Sequence, residues 1–113
     1  MTSLTVAVLT YNHPELTDAC LDAVMTQEGV EFDVIVVDNG STLVYGKVEW
    51  PSYTHPPPQI IRLDENVGNI SGQNVCFESS QSEWVVFVSN DAILMPGCLA
   101  ALHRAAQQLP DCG

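Results

Sequence analysis

The sequence is poor in basic residues. Its 113 residues contain three Lys or Arg against fourteen Asp or Glu, which gives a formal net charge of −11. Nucleic acids and anionic membrane surfaces are bound through clustered basic side chains, so this composition argues strongly against both as partners. It also means that any phosphate ligand needs backbone amides or a metal ion to offset the charge repulsion.

Long hydrophobic runs are missing as well. No apolar run approaches the roughly 20 residues that a membrane span requires, so we expect no span in this chain. Residues 1–5 lack the basic start of a secretory signal, and we therefore expect a cytoplasmic protein. The four cysteines form no CxxC pair and no metal-ligand spacing, which favours buried free thiols over disulfides at Cys20, Cys76, Cys98 and Cys112.

Several common catalytic signatures are also absent from the sequence. There is no GxxxxGK[ST] phosphate loop, no GxGxxG dinucleotide fingerprint and no GxSxG nucleophile elbow. The three histidines are scattered, so no nucleophile and base can be paired from the sequence. These absences argue against a P-loop NTPase, a dinucleotide-binding dehydrogenase and an α/β-hydrolase.

The most informative segment that is present covers residues 84–96. Val85 to Val88 form a short apolar run that predicts a strand buried on both faces of a parallel sheet. Ser89, Asn90 and Asp91 follow directly, at the strand end where open α/β sheets place their ligands. A buried carboxylate is costly unless it is paired or bound to a cation. The alternative, that Asp91 only caps a turn, is equally compatible with the segment itself.

Strands and helices alternate along the rest of the chain. Apolar runs predict strands at 4–10, 32–37, 59–63 and 85–88, and helical spacing predicts helices at 14–27, 70–80 and 96–109. A further short helix is expected within 43–50. Strand–helix–strand units imply parallel pairing, so we predict one α/β domain over 1–113, a half Rossmann-like sheet with strand order 3-2-1-4.

Apolar residues at helical spacing predict which side of each helix packs on the sheet. The first helix has an apolar stripe of Leu16, Cys20, Ala23 and Val24. The second helix is expected to align four residues on one side, namely Ile70, Asn74, Phe77 and Gln81. The last helix is expected to face the core through Leu99, Leu102, Ala106 and Leu109.

Four loops should meet at the carboxyl edge of this sheet, namely residues 10–13, 38–41, 64–69 and 89–91. They hold most of the polar residues that directly follow an apolar run. The carboxyl ends of parallel strands share one edge, so these loops predict a ligand site.

The four loop segments resemble motifs of family-two glycosyltransferases with the GT-A fold, in the amino-terminal half that binds the donor. The similar segments, in this order, are residues 6–12 (VAVLTYN), 36–42 (VVDNGST), 66–75 (NVGNISGQNV) and 87–92 (FVSNDA). The similarity extends over nearly the whole chain.

The resemblance implies a truncated GT-A sheet, mostly parallel and flanked by helices, and an inverting transfer of sugar from a nucleoside-diphosphate-sugar donor to an acceptor hydroxyl. It implies a divalent metal, Mg or Mn, held by Asp91. It also implies that the donor is bound by Thr10, Tyr11, Asn12, Asp38, Asn66, Gly68, Asn74 and Asn90.

Some positions differ from the family pattern or have simpler explanations. Ser89 stands where the metal motif usually has its first acid, and Gln73 stands where many members have Arg. Asp38 and Asn39 could simply form a turn, and Asn66 could simply cap the entry to a helix.

The family's catalytic base is expected beyond Gly113, so we expect the isolated chain to be an inactive donor-binding part. We also expect a homo-oligomer formed through residues 85–95 and the last helix. Two other functions stay open: a non-catalytic nucleotide-sugar-binding module and a nucleotidyltransferase-like enzyme.

Overall fold

The computed structural model describes residues 4–41 and 58–108. Along the chain the elements are β1 (Leu4–Thr10), α1 (Pro14–Met25), β2 (Asp33–Asp38), β3 (Gln59–Arg62), α2 (Asn69–Glu78), β4 (Trp84–Ser89) and α3 (Cys98–Gln108). All the strands and helices predicted within these residues are confirmed. The helix expected at 43–50, Leu109 and Cys112 lie outside the described residues.

The strands form one sheet in the order β3-β2-β1-β4, and every pair is parallel. This confirms the predicted strand order and the α/β class. β1 has a neighbour on each side, since Thr5 pairs with Asp33 and Leu4 pairs with Trp84. With all strands parallel, the four carboxyl ends lie along one edge of the sheet.

Alternate residues of the central strands fill two separate core layers, because successive side chains of a strand point to opposite faces. On one face, Val6 and Val8 pack with buried residues of α1 and with Leu99 of α3. On the other face, Ala7 and Val37 pack with Cys76 and other residues around α2. Helices therefore cover both faces of the sheet.

Helix α1 packs on the sheet through a buried face that includes Cys20, Leu21 and Val24. Pro14 starts the helix at a position where no backbone N–H is needed. The expectation that Leu16 belongs to this face is wrong, because Leu16 is 44% exposed. It lies in the first turn, at the carboxyl edge of the sheet, where it lines a cleft instead.

Strand β4 is less buried than expected. Trp84 to Phe87 are half-buried, and Val88 is the one buried residue of the strand. Its side chains pack against the core on both faces, as predicted, but their burial is incomplete because, within 4–41 and 58–108, β4 pairs with β1 alone and forms an edge of the sheet. Side chains on such an edge have a packed neighbour on one side only.

Helix α3 is anchored by its amino-terminal end. Gln27, two residues after the end of α1, accepts the Leu99 N–H through Oε1 at 3.1 Å and donates from Nε2 to the Met95 carbonyl at 2.9 Å. Leu99 is buried, as predicted, whereas Leu102 is 46% exposed and does not face the core. The periodic pattern continues along α3, but the contact with the sheet is made by its first turn.

Helix α2 packs through small residues, Gly72 and Cys76. A Cβ atom on Gly72 would lie 2.8 Å from Leu9 Cδ1 and 3.2 Å from Asn39 Nδ2, so glycine allows α2 to approach the sheet closely. Of the four residues expected on one side of this helix, Ile70, Asn74 and Phe77 lie on its exposed side, whereas Gln81 lies beyond its end. Among the described helices, none is long and apolar enough to cross a membrane.

The Asp18 carboxylate of α1 is in a position that lowers the stability of the fold. Within the described residues, the buried Oδ1 of Asp18 has no hydrogen-bond partner. Burial, and after it the negative charge of Glu15, raises the Asp18 pKa above its ordinary value of 3.8. A raised pKa in the folded state means that ionised Asp18 destabilises the fold above that pKa.

We therefore expect Asp18→Asn to raise the melting temperature near neutral pH, by roughly 2–4 °C. The difference should shrink as the pH falls through the raised pKa and wild-type Asp18 becomes protonated. Thermal unfolding followed by circular dichroism across this range measures it. Asp22→Asn, at an exposed position of the same helix, is the control, and an equal rise in that variant would contradict the assignment.

Candidate functional site

A cleft of about 360 Å³ lies at the carboxyl edge of the sheet. This volume falls within the range of small-molecule sites. Each of the four predicted loops contributes to it, which confirms that they converge. The lining residues are Leu9, Thr10, Tyr11, His13, Leu16, Asn39, Asn66, Asn69, Asn90 and Asp91.

The cleft brings together five of the nine residues predicted for the site: Thr10, Tyr11, Asn66, Asn90 and Asp91. The other four, Asn12, Asp38, Gly68 and Asn74, are not among its lining residues. Sequence reasoning did not assign His13, Asn39 or Asn69 to the site. The polar Asn-Gly turn at Asn39 was a usable signal, whereas His13 followed no recognisable pattern.

The turn after β1 has an unusual backbone. Asn12 and His13 both have positive φ angles, 51° and 56°, in the left-handed region. The His13 carbonyl then accepts the N–H groups of Leu16 and Thr17 at 3.2 and 3.3 Å, which starts α1. This sharp turn places Tyr11 and His13 at the cleft.

Asp38 ends β2 and is buried, with 3% exposure. Its Oδ1 accepts the Ser41 N–H at 3.0 Å, which is the bond of a turn-forming aspartate. Ser41 Oγ in turn accepts the Asn12 N–H at 2.8 Å. These bonds agree with the turn-forming alternative for Asp38 and connect the loops after β1 and β2.

Asn39 connects β2 to the loop before α2. Its Oδ1 accepts the Val67 N–H at 3.0 Å, and its Nδ2 donates to the Gly68 carbonyl at 3.1 Å. Its side chain is nearly inaccessible, with 3% exposure. Since both polar atoms of the amide are used, this side chain fixes how the 64–69 loop enters the cleft.

Asn66 and Asn74 lie on either side of the start of α2. Asn66 Oδ1 accepts the Gly68 N–H at 2.8 Å, a turn at the helix entry that agrees with its capping alternative. Gly68 is the N-cap residue of α2, and Asn74 is exposed on the helix. Asn66 still lines the cleft while making this bond.

Asp91 lies after β4 as an exposed carboxylate in the cleft. The Ser89 hydroxyl donates to Asp91 Oδ1 at 2.7 Å. Behind them lies Cys20, whose Sγ is 3.5 Å from the Ser89 carbonyl oxygen. Burial, and after it the charge of Asp91, raises the Cys20 pKa to about 11, so this free thiol is not an activated nucleophile.

Cys76 is likewise a free and buried thiol. Burial raises its pKa to about 11, although a backbone hydrogen bond acts in the opposite direction. Cys98 is free and half-buried. The expectation of buried free thiols is therefore confirmed for Cys20 and Cys76.

The cleft offers a metal ion little protein ligation. No group of three or more His, Cys, Asp or Glu that could hold a metal occurs in the described part of the chain. Among the lining residues within 4–41 and 58–108, Asp91 is the single carboxylate and there is no Lys or Arg. One carboxylate suits Mg²⁺ or Mn²⁺ when phosphate oxygens and water supply the remaining ligands.

The sequence matches the family model described as Glycosyl transferase family 2 over residues 5–112. A curated relative, an uncharacterized glycosyltransferase of Haemophilus influenzae, is 29% identical over 108 residues. That alignment covers 96% of this chain and 36% of the relative. The chain thus spans only about a third of the relative's length.

Two solved structures share the fold. S. aureus TarS in complex with UDP-GlcNAc superposes with a TM-score of 0.78 at 24% identity, covering 94% of this chain and 31% of that one. The mannosyltransferase PcManGT from Pyrobaculum calidifontis, in complex with GDP-Man and Mn2+, gives 0.77 at 27% identity, covering 97% and 33%. These likenesses confirm the expected GT-A type of α/β fold.

Proposed function

Since this chain belongs to glycosyltransferase family 2, we propose that its cleft binds a nucleoside-diphosphate-sugar and that the chain is the donor-binding part of an inverting transferase. The observation that carries the proposal is the convergence of four loops on one cleft whose described lining contains a single carboxylate, Asp91. Two proteins of similar fold were solved with such donors, UDP-GlcNAc and GDP-Man.

Asp91 is the proposed metal-binding residue. The described lining of the cleft has no basic side chain to offset a diphosphate, so a bound divalent cation would supply the positive charge. Such a cation would act as a Lewis acid that stabilises the leaving nucleoside diphosphate. PcManGT contains Mn2+ together with its donor, which supports this assignment.

The other lining residues are proposed to hold the organic part of the donor. Tyr11, 42% exposed at the cleft, offers an aromatic face for a base or sugar. Thr10, Asn66 and Asn90 offer hydroxyl and amide groups. Asp38, buried in its own turn, would support the loops around the donor rather than touch it.

No second carboxylate lines the cleft in the part of the chain that the structure describes, and this supports the donor-only part of the proposal. In an inverting transfer, a general base removes the proton of the acceptor hydroxyl as it attacks the anomeric carbon. Asp91 is assigned to the metal, so the described residues around the cleft offer no carboxylate for that task. The same observation favours the second candidate, a non-catalytic nucleotide-sugar-binding module.

Self-association through residues 85–95 is kept as a proposal, because β4 has an unpaired edge within the described sheet and Ile93 and Met95 are 58% and 73% exposed. Edges and apolar patches of this kind attract partners. Sedimentation velocity of the chain would detect dimers, and a monomer at all concentrations would rule this proposal out.

Titration calorimetry with uridine diphosphate, in Mn²⁺ or in chelator, tests the main proposal. We expect binding that depends on Mn²⁺, and Asp91→Asn should lower the affinity in Mn²⁺ by roughly tenfold or more. Asp64→Asn removes an exposed aspartate that does not line the cleft and is the matched control. Equal affinities of wild type and Asp91→Asn would leave Asp91 as a turn residue only.

A further inference from the structure

Thr17 is a polar residue in the buried face of α1. Its side chain is fully inaccessible, and its neighbours on this face, Cys20 and Leu21, belong to the apolar core. A buried hydroxyl is unfavourable unless it is hydrogen-bonded. The position therefore has to offer partners, and these partners indicate what Thr17 does.

Three segments meet at the Thr17 hydroxyl. Its Oγ1 lies 2.7 Å from Thr10 Oγ1 at the end of β1, and it accepts from Asn90 Nδ2 at 3.4 Å. It also lies 3.4 Å from the His13 carbonyl oxygen, to which it can donate. Thr10, His13 and Asn90 all line the cleft, whereas Thr17 does not.

We propose that Thr17 is a positioning residue for residues 89–91, called here the 89–91 loop: by accepting the Asn90 amide, its hydroxyl fixes the backbone that carries Asp91. The inference rests on the proposed function, since it assigns Thr17 a role in metal-dependent donor binding. Thr17 itself touches neither the donor nor the metal.

The hydrogen-bond donors and acceptors around Thr17 can all be satisfied at the same time. Asn90 donates to Thr17, and Thr17 has one proton to give to Thr10 Oγ1 or to the His13 carbonyl. Thr10 can donate its own proton to the Asn12 carbonyl at 3.4 Å. A hydroxyl at position 17 can therefore serve the loop and its neighbours together, and a methyl group cannot.

A second contact from α1 reaches the same loop. Cys20, nearly one turn after Thr17, directs its Sγ toward the Ser89 carbonyl. Ser89 in turn holds Asp91 Oδ1 through its hydroxyl. The 89–91 loop thus contacts the inner face of α1 at two residues, Thr17 and Cys20. Of the two, Thr17 is bonded to the cleft residues Thr10 and Asn90.

The test compares Thr17→Val, which keeps the shape and removes the hydroxyl, with Thr17→Ser, which keeps the hydroxyl. Thr26→Val is the matched control, because Thr26 is an exposed residue of the same helical segment whose hydroxyl bonds to the Asp22 and Ala23 carbonyls. Uridine diphosphate is titrated into each variant in Mn²⁺ and in chelator, and each variant's unfolding midpoint is measured.

We expect Thr17→Val to lose roughly tenfold in Mn²⁺-dependent affinity, as is typical for residues that orient a metal ligand. Thr17→Ser and Thr26→Val should bind like the wild type. Binding in chelator should be the same in all four proteins, which separates positioning of Asp91 from general damage to the cleft. Wild-type affinity of a folded Thr17→Val, or an equal loss in chelator, would overturn the inference.

Asn90→Ala removes the same hydrogen bond from its other, half-buried partner, so the test does not depend on the stability of a core variant. Because Asn90 is also proposed to contact the donor, this variant should lose at least as much Mn²⁺-dependent affinity as Thr17→Val, and normal binding by Asn90→Ala would also overturn the inference. If the wild type itself shows no binding, the proposed function fails and this inference fails with it. If the wild type binds and only the Thr17 effect is missing, the proposed function stands alone.

Discussion

Replacing Gly40 by alanine is expected to destabilise the fold by about 3 kcal/mol or more, a large share of the stability of a small domain. Gly40 has a φ of +75°, a conformation that costs a residue with a Cβ about 1–2 kcal/mol. An added Cβ would also lie 2.7 Å from the Glu65 Cα and 2.5 Å from the Asn66 nitrogen. Both are backbone atoms, so the loops after β2 and β3 would have to separate.

Gly97→Ala separates the two causes of this loss. Gly97 has a similar φ of +81°, but nothing lies within 4 Å of an added Cβ. Urea unfolding should therefore show a loss of about 1–2 kcal/mol for Gly97→Ala and a clearly larger one for Gly40→Ala. Equal losses would mean that the close approach of the two loops contributes nothing.

Asn39→Asp, a change of nearly identical shape, should cost about 2–4 kcal/mol at neutral pH. The carboxylate would keep the acceptor for the Val67 N–H but would place an oxygen opposite the Gly68 carbonyl, where Nδ2 now donates. It would also be a buried negative charge in a chain whose net charge is already −11. Because burial disfavours ionisation, the new carboxyl would have a raised pKa.

The loss in Asn39→Asp should therefore diminish as the pH falls and the carboxyl becomes protonated, since it can then donate to the Gly68 carbonyl. Urea unfolding at neutral and at mildly acidic pH measures this change. Asn74→Asp, at an exposed position of α2, should show little loss at either pH. A loss in Asn39→Asp that is the same at both pH values would contradict the role of the amide donor.

The strands were predictable because each is a short apolar run that ends in polar residues. For β1 and β2 this pattern also indicates burial correctly, since each has a strand on both sides. β4 has the same pattern with less burial, because it lies at the edge of the described sheet. Composition alone cannot distinguish a central strand from an edge strand, which depends on which strands pair.

For the helices, too, the sequence pattern did not predict which residues are buried. Leu16 and Leu102 fit their apolar stripes but are exposed, because a stripe extends along the whole helix and the sheet is narrower than the stripe. For α2 the packed face is formed by Gly72 and Cys76, small residues that a search for large apolar side chains passes over. The close packing of α2 on the sheet thus depends on small side chains and not only on large apolar ones.

The candidate site was predictable as a region, because parallel strands bring their polar ends to one edge. Which side chains line the cleft was harder to predict, because that is decided by tertiary contacts. Asn39 lines it while bonding to a loop 28 residues away, and Thr17 supports it from inside a helix. The Asn-Gly turn marks Asn39 as part of a loop at this edge, but no local pattern marks its bonds to the 64–69 loop or the role of Thr17.

The central position of β1 has a consequence for the order in which the molecule forms. β1 meets β2 across 28 residues of chain, from Thr5 to Asp33, but meets β4 across 80, from Leu4 to Trp84. Closing the longer loop costs about 0.9 kcal/mol more in chain entropy. During synthesis, β1, α1 and β2 are complete long before β4 leaves the ribosome. The cleft, which needs residues from Leu9 to Asp91, is therefore among the last features to be assembled, because a nascent chain that ends before β4 lacks its lining residues Asn90 and Asp91.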